Sequence, residues 1–362
     1  MPINRPAARP SARSSAEGYP SLRSALWLYC LVLIGAVIVT VLQYNVDVVW
    51  LRLIVAVFVT AGFTAAVMFA SHIRATAIFG ERPTARQAIL SLLIGLAAWV
   101  PSAWIMLSLY AWLYSAVGPL PSFILDAPPG WFLIQDGLIA PLAQGLLFWA
   151  FIQRAAEGLS RMRGALLTAV LYAVFGLFTH NLATSSIPGL LIIGLLAAFV
   201  VYYTRSAWCG IAVTATYGVL WALNEMPTSF LQDLMAGYFG NQSQATNPFS
   251  VRWLLLVAVS SFIAVILFQV LRVTEGAGSQ RAMPRSASKR LWWIPLVIGA
   301  LLVVGGVYGE IEERLRYGQY ATQPQNAPAP AATMTPAPGA APPVQVPRSA
   351  SQTPQSANEQ PK

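Results

Sequence analysis

A succession of apolar runs, each long enough to cross the hydrocarbon core of a bilayer, restricts this chain more than any other feature. They fall at about 25–43, 48–70, 88–116, 131–153, 164–180, 187–204, 207–225, 251–271 and 291–309. A helix needs roughly 20 such residues to span about 30 Å of hydrocarbon. In that medium each backbone N–H and C=O must find its partner inside the protein, which a helix achieves locally. Only 10% of the residues are charged and 56% are hydrophobic, against about 25% charged in an ordinary soluble domain. Water therefore cannot be the solvent for most of the surface. The expected fold class is all-α, a polytopic membrane protein of about nine transmembrane helices occupying residues 24–310. The third run contains Pro101, which a membrane helix accommodates as a kink.

The flanks are of another kind. Residues 1–23 are rich in Pro, Ala, Ser and Arg with a single acid, Glu17. Such a head lacks the apolar content for a core and is expected to be disordered. Residues 311–362 form a second polar segment, Pro- and Ala-rich from about 321 on, expected to be an extended tether. The first run is too long for a leader's apolar region and ends in Gln43-Tyr44-Asn45 without a small-residue cleavage site, so it is read as a true span.

Orientation follows from the loops. With the head inside, the inner segments carry Arg5, Arg9, Arg13 and Arg23, then Arg74, Arg82 and Arg86, then Arg154, Arg161 and Arg163, then Arg205. The last inner loop adds Arg272, Arg281, Arg285, Lys289 and Arg290, making sixteen of the 22 Lys and Arg residues. Arg52 stands in or near a span, while outer loops carry Asp47, Asp126 and Asp233. This asymmetry places the N-terminus inside and the C-terminus outside. The Trp292-Trp293 pair fits an interfacial aromatic belt at the inner end of the ninth span. The expected location is a cell membrane, multi-pass, of the bacterial inner-membrane kind. The net charge of +9 is spread over these loops, without the single basic stripe that nucleic-acid binding needs. Cys30 and Cys209 lie inside apolar runs without a Cys-x-x-Cys partner, which gives no basis for a disulfide framework or a zinc ribbon. Gly305-x-x-x-Gly309 is a short helix-packing pattern, and Asn241-Gln242-Ser243 matches the glycosylation pattern.

Three collinear blocks stand out in residues 130–225. The first is Ala140-Pro-Leu-Ala-Gln-Gly-Leu-Leu-Phe-Trp-Ala-Phe151. The second is Leu171-Tyr-Ala-Val-Phe-Gly-Leu177, and the third is Tyr203-Thr-Arg-Ser-Ala-Trp208. In this register the sequence resembles the CPBP family of intramembrane metalloproteases, the CAAX-protease and bacteriocin-processing group. Ala140, Pro141, Leu146, Leu147 and Phe148 match the frame of its Ala-Pro-x-x-Glu-Glu-Leu-x-Phe-Arg-Gly motif. The resemblance implies a helical core that holds a metal or an activated water within the membrane.

Every position that the resemblance implies for chemistry is replaced. The Glu pair is Gln144 and Gly145, the Arg is Trp149, the two His are Gly176 and Thr214, and the Asn is Gly218. A hydrolytic zinc site takes about three His, Asp, Glu or Cys ligands and an open position, with a carboxylate as general base. An amide, an indole, a hydroxyl and three glycines supply none of these. The expected function is that of a catalytically inactive pseudoprotease that binds a membrane partner, a hydrophobic peptide or a lipid, with no catalytic residue and no cofactor. One alternative is a divergent hydrolase with a relocated zinc site. Asp136, His180 and Glu225 are spaced to approach one another near the outer ends of their helices. Interfacial polar residues with local hydrogen bonds give the simpler account of the same three. A small transporter is a further alternative, although the paired intramembrane charges and repeats of that class are not evident.

Overall fold

The computed structural model describes residues 20–45, 53–117, 130–179, 184–225, 249–275 and 294–321. Several sequence expectations lie outside these: most of the head, Asp47, Arg52, Asp126, His180, Asp233, the glycosylation pattern, Trp292-Trp293 and the tail from 322. By its internal contacts the chain divides after Tyr320 into two units, and the account that follows concerns the first.

The described residues are helical, and each of the nine apolar runs coincides with a helix. We label them α1 (Leu22–Asn45), α2 (53–70), the short α3 (Ala75–Phe79), α4 (Ala85–Val117) and α5 (Trp131–Ala156). There follow α6 (Arg161–Thr179), α7 (Ser186–Thr204), α8 (Ala207–Glu225), α9 (Val251–Glu275) and α10 (Ile294–Ala321). By length and composition α1, α4, α5, α7 and α9 suffice to cross a membrane, while α2, α6 and α8 contain shorter apolar stretches. The protein is thus an all-α polytopic membrane protein. One boundary differs from expectation: α10 runs on past 310 to Ala321, because Glu310 and Arg314 are buried in the bundle and prolong the helix beyond its apolar run.

Local chemistry sets the helix starts. Ser21 accepts the Ser24 N–H at 3.1 Å and caps α1. Thr84 and Gln87 form a reciprocal capping box at the start of α4, with Gln87 N–H to Thr84 Oγ1 at 3.3 Å and Thr84 N–H to Gln87 Oε1 at 2.9 Å. Helix α7 ends where Arg205 turns left-handed at φ +56° and returns its N–H to Val201 O at 2.8 Å.

The core lies among α1, α5, α6, α7 and α8, with α4 against the last two. Tyr29 of α1, Phe148 and Trp149 of α5, and Tyr172 and Phe175 of α6 form an aromatic centre. The peripheral α9 touches α4 through one stripe, Trp253, Ser260, Ala264 and Leu271. Phe268 also packs against Phe199 and Tyr203 of α7, while Leu255, Phe262 and Val265 point outward, as lipid contact requires. The long fifth helix winds wider than an α-helix over Gln135–Ile139 and Leu146–Ile152. Such π-turns cluster at functional sites across proteins, and the second coincides with the block containing Trp149.

Candidate functional site

Helices α5, α6 and α8 carry the six positions at which a catalytic centre is implied. The structure brings Trp149 and Thr214 into contact. The Trp149 indole is fully buried, and its Nε1–H donates to Thr214 Oγ1 over a long 3.4 Å. The Thr214 hydroxyl in turn reaches the backbone carbonyls of Ile211 at 3.1 Å and Gly210 at 3.2 Å. Its own proton is therefore spent within its helix, and its lone pair is what the indole uses. The Tyr172 ring lies 5.2 Å from that of Trp149. A Cβ on Gly210 would stand 2.5 Å from Val201 Cγ2 and 3.0 Å from Trp149 Cγ, so that glycine leaves room for both side chains.

The three glycines among the six positions are contact points too. A Cβ on Gly145 would strike the Ile211 side chain, one on Gly176 the Leu190 side chain, and one on Gly218 the backbone carbonyl of Asp136. Next to the last contact, a Cβ on Gly137 would come within 2.8 Å of Val219. Along α5 the order 137, 145, 149 meets α8 at 218–219, 211 and 210–214. The two helices therefore run antiparallel in a close seam. Gly176 belongs to a different seam, between α6 and α7. Gln144 is buried. Trp149 and Ile211 are thus packed against the positions at which the resemblance implies a centre, and Leu190 is packed against Gly176 in the neighbouring seam.

A zinc ion does not fit this donor set, since the six positions offer an amide, an indole, a committed hydroxyl and no carboxylate, imidazole or thiolate. Among the described residues no three of His, Cys, Asp and Glu come together. Of the relocated trio, Asp136 is partly buried, with its main chain against Gly218. Glu225 is the last residue of α8, and His180 lies outside the described residues. His72 is exposed at the turn after α2, with φ +52°.

Two buried polar assemblies were not legible from residue spacing. At the end of the bundle where α4 and α6 begin, Arg154 gathers three segments. Its Nε–H donates to Ile78 O at 3.2 Å, one terminal nitrogen to Glu157 Oε1 at 2.6 Å, and the other to Arg205 O at 2.5 Å. Gly80, at φ +72°, lies directly under that guanidinium, and a Cβ there would collide with it and with Arg205 O. Only glycine satisfies both the backbone angle and the close approach. Glu157 sits in the turn beyond α5. Burial pushes its carboxyl above the ordinary carboxylate range, and the Arg154 charge and hydrogen bond oppose that rise.

The second assembly is at the opposite end. Glu310 and Arg314 of α10 form a buried ion pair, with Arg314 Nε and Nη2 donating to Glu310 Oε1 at 2.9 and 2.7 Å. The other Glu310 oxygen accepts from the Thr184 N–H at 2.8 Å and from the Thr184 hydroxyl. The guanidinium also lies 5.2 Å from the centre of the Tyr110 ring. No titratable signature in the sequence ties residues 184 and 310 together, so only the fold reveals the pair.

Fold and site together define a class: a polytopic helical membrane protein with a tightly packed seam between two central helices. A family model described as Rce1-like, Type II CAAX prenyl endopeptidase Rce1-like, matches residues 126–220. The match spans α5 to α8 and agrees with the resemblance read from the three blocks. No curated protein and no solved structure matches the chain.

Proposed function

We propose that this protein is a catalytically inactive member of the Rce1-like group, a pseudoprotease that serves as a membrane-embedded binding partner for another membrane protein. The supporting observation is the fully buried Trp149 at the family's arginine position, in contact with Thr214 at a histidine position. A site being kept for chemistry would hold ionisable groups and room for a scissile bond. Here those groups are gone and Trp149 and Ile211 occupy the space. Uncompensated charges in a dry interior are costly, so carboxylates and imidazoles without a catalytic duty are expected to give way to packing residues. The filled interior also favours a partner on the outer surface over a peptide or lipid chain threaded between α5 and α8. In this reading the arginine-rich end, with α1 starting there, faces the inside of the cell membrane, and the tail after α10 lies outside.

The test is metal analysis and peptidase assay on the purified full-length protein. The expected result is no stoichiometric zinc and no chelator-sensitive cleavage of prenylated CAAX peptides. Stoichiometric zinc that disappears in His180→Ala would overturn the proposal and establish the relocated centre instead.

A further inference from the structure

The described helix ends carry their exposed arginines very unevenly. Arg23, Arg74, Arg82, Arg86, Arg163 and Arg272 are all exposed. They lie at one end of the bundle, as the contacts Gln87 to Glu275, Gly80 to Ser206 and Arg154 to Arg205 require. None of the six forms an ion pair with an acid among the described residues. The acids near them are Glu81, which is exposed, Glu157, which pairs with Arg154, and Glu275, which accepts from Gln87 at 2.8 Å. At the other end, the arginines with described side chains are Arg252, which has a partner, and the buried Arg314.

Position along the helix adds a second observation. Four of these arginines have exposed apolar side chains within a turn: Arg23 has Trp27, Arg86 has Ile89, Arg163 has Met162 and Leu166, and Arg272 has Val273. The guanidinium groups therefore stand at the rim of the surface that faces lipid tails, at the level where tails give way to headgroups. Arg23, Arg86 and Arg163 also fall in the first turns of α1, α4 and α6. A cation there opposes the positive end of the helix dipole, an arrangement that an external anion relieves. Guanidinium matches a phosphodiester in charge and in its planar fork of donors.

From this rim we infer that the arginine end binds the headgroups of anionic phospholipids, so that the protein selects them over zwitterionic lipids in the leaflet it faces. The inference rests on the membrane fold and is independent of whether the core is catalytic. A basic residue near such a surface contributes about a fivefold preference, weakened by salt.

Lipid selection is measured by reconstituting full-length protein into phosphatidylcholine vesicles containing brominated phosphatidylglycerol or brominated phosphatidylcholine, and comparing the quenching of tryptophan fluorescence. The wild type is expected to prefer phosphatidylglycerol by about fivefold or more, less so at high salt. The variant R23Q/R86Q/R163Q/R272Q should show almost no preference, and R252Q should keep it. Should the fourfold variant fail to accumulate, Arg272→Gln alone, at an exposed position, is expected to reduce the preference measurably. Equal quenching by the two lipids in the wild type, or an unchanged preference in the arginine variants, overturns the inference. So does abolition of the preference by inorganic phosphate at constant ionic strength, which would mark the rim as a site for free phosphate.

Discussion

Gly218→Ala tests directly whether the seam between α5 and α8 is a close packing contact. The ideal Cβ at this position falls on the carbonyl oxygen of Asp136 and 3.0 Å from its carbonyl carbon. The obstacle is the backbone of α5, which cannot rotate away as a side-chain tip would. Overpacking of a close-fitted site costs about 1–3 kcal/mol, occasionally more, and a backbone obstacle argues for the upper end. Alanine recovers roughly 1 kcal/mol through its better helix propensity, leaving a net loss of about 2 kcal/mol. Gly305→Ala is the matched control. Its Cβ would meet nothing within 4 Å, so only the propensity gain remains, and this variant should be neutral or more stable by up to about 1 kcal/mol. Unfolding of the two variants and the wild type in mixed micelles with increasing dodecyl sulfate measures the difference. The expected order of stability is Gly305→Ala at or above wild type, with Gly218→Ala well below. A Gly218→Ala protein as stable as Gly305→Ala would show that α5 and α8 do not approach closely there, and the packed seam around Trp149 would not reach this end of the two helices.

The remaining predictions concern the buried polar and aromatic groups. Trp149→Ala should cost about 3–5 kcal/mol in the same unfolding assay, and Trp149→Phe distinctly less, because the Thr214 bond it gives up is long. Glu157 should make stability depend on pH. Its folded carboxyl is raised, so the contribution is fully present below the unfolded carboxylate range and is lost as pH rises through the folded value. Glu157→Gln, the neutral mimic, should flatten that slope, and an unchanged pH profile would contradict the assignment. Arg314→Met should destabilise by about 3–5 kcal/mol by leaving Glu310 charged and buried. The double variant Glu310→Leu with Arg314→Met should be much milder, and equal losses in the two would refute the coupling.

The helices were legible in the sequence because lipid imposes one rule on every span. Apolar runs from Leu26 to Leu42 or from Leu254 to Val270 leave the backbone no other way to satisfy itself. The frame around Ala140-Pro141 and Phe148 was equally legible, since its spacing matches the family motif. The packing around the departures from that motif was not legible. Gly145, Gly176 and Gly218 read only as missing side chains, whereas in the structure a Cβ at each would meet Ile211, Leu190 and the Asp136 carbonyl. A glycine gives no hint of its neighbour, and these neighbours lie on other helices. Arg154 was counted among ordinary loop arginines, and only the turns at Gly80 and Arg205 show that it is buried and fully engaged. Glu310 and Thr184 are 126 residues apart, beyond the reach of any periodicity.

The fit of the residues at these positions bears on what a catalytic centre there would require. Losing a zinc ligand alone would leave the remaining carboxylates and imidazoles buried without compensation, which is costly in a dry interior. Here the substitutions are complementary: the indole of Trp149 meets the hydroxyl of Thr214, and Gly210 makes room for that indole. Gly145 and Gly218 let α5 close on α8 along the same seam. Such mutual fit means that no single substitution toward the family motif is accommodated without repacking. Trp149→Arg would place a cation in a fully buried site beside the Phe148 and Tyr172 rings, and Gly145→Glu would drive a carboxylate into Ile211. The wide π-turn over Leu146–Ile152 follows directly on Gln144 and Gly145 in the same helix. All the residues from Leu147 to Ile152 are buried, so the turn lies wholly within the packed core and carries Phe148 and Trp149 into the aromatic centre.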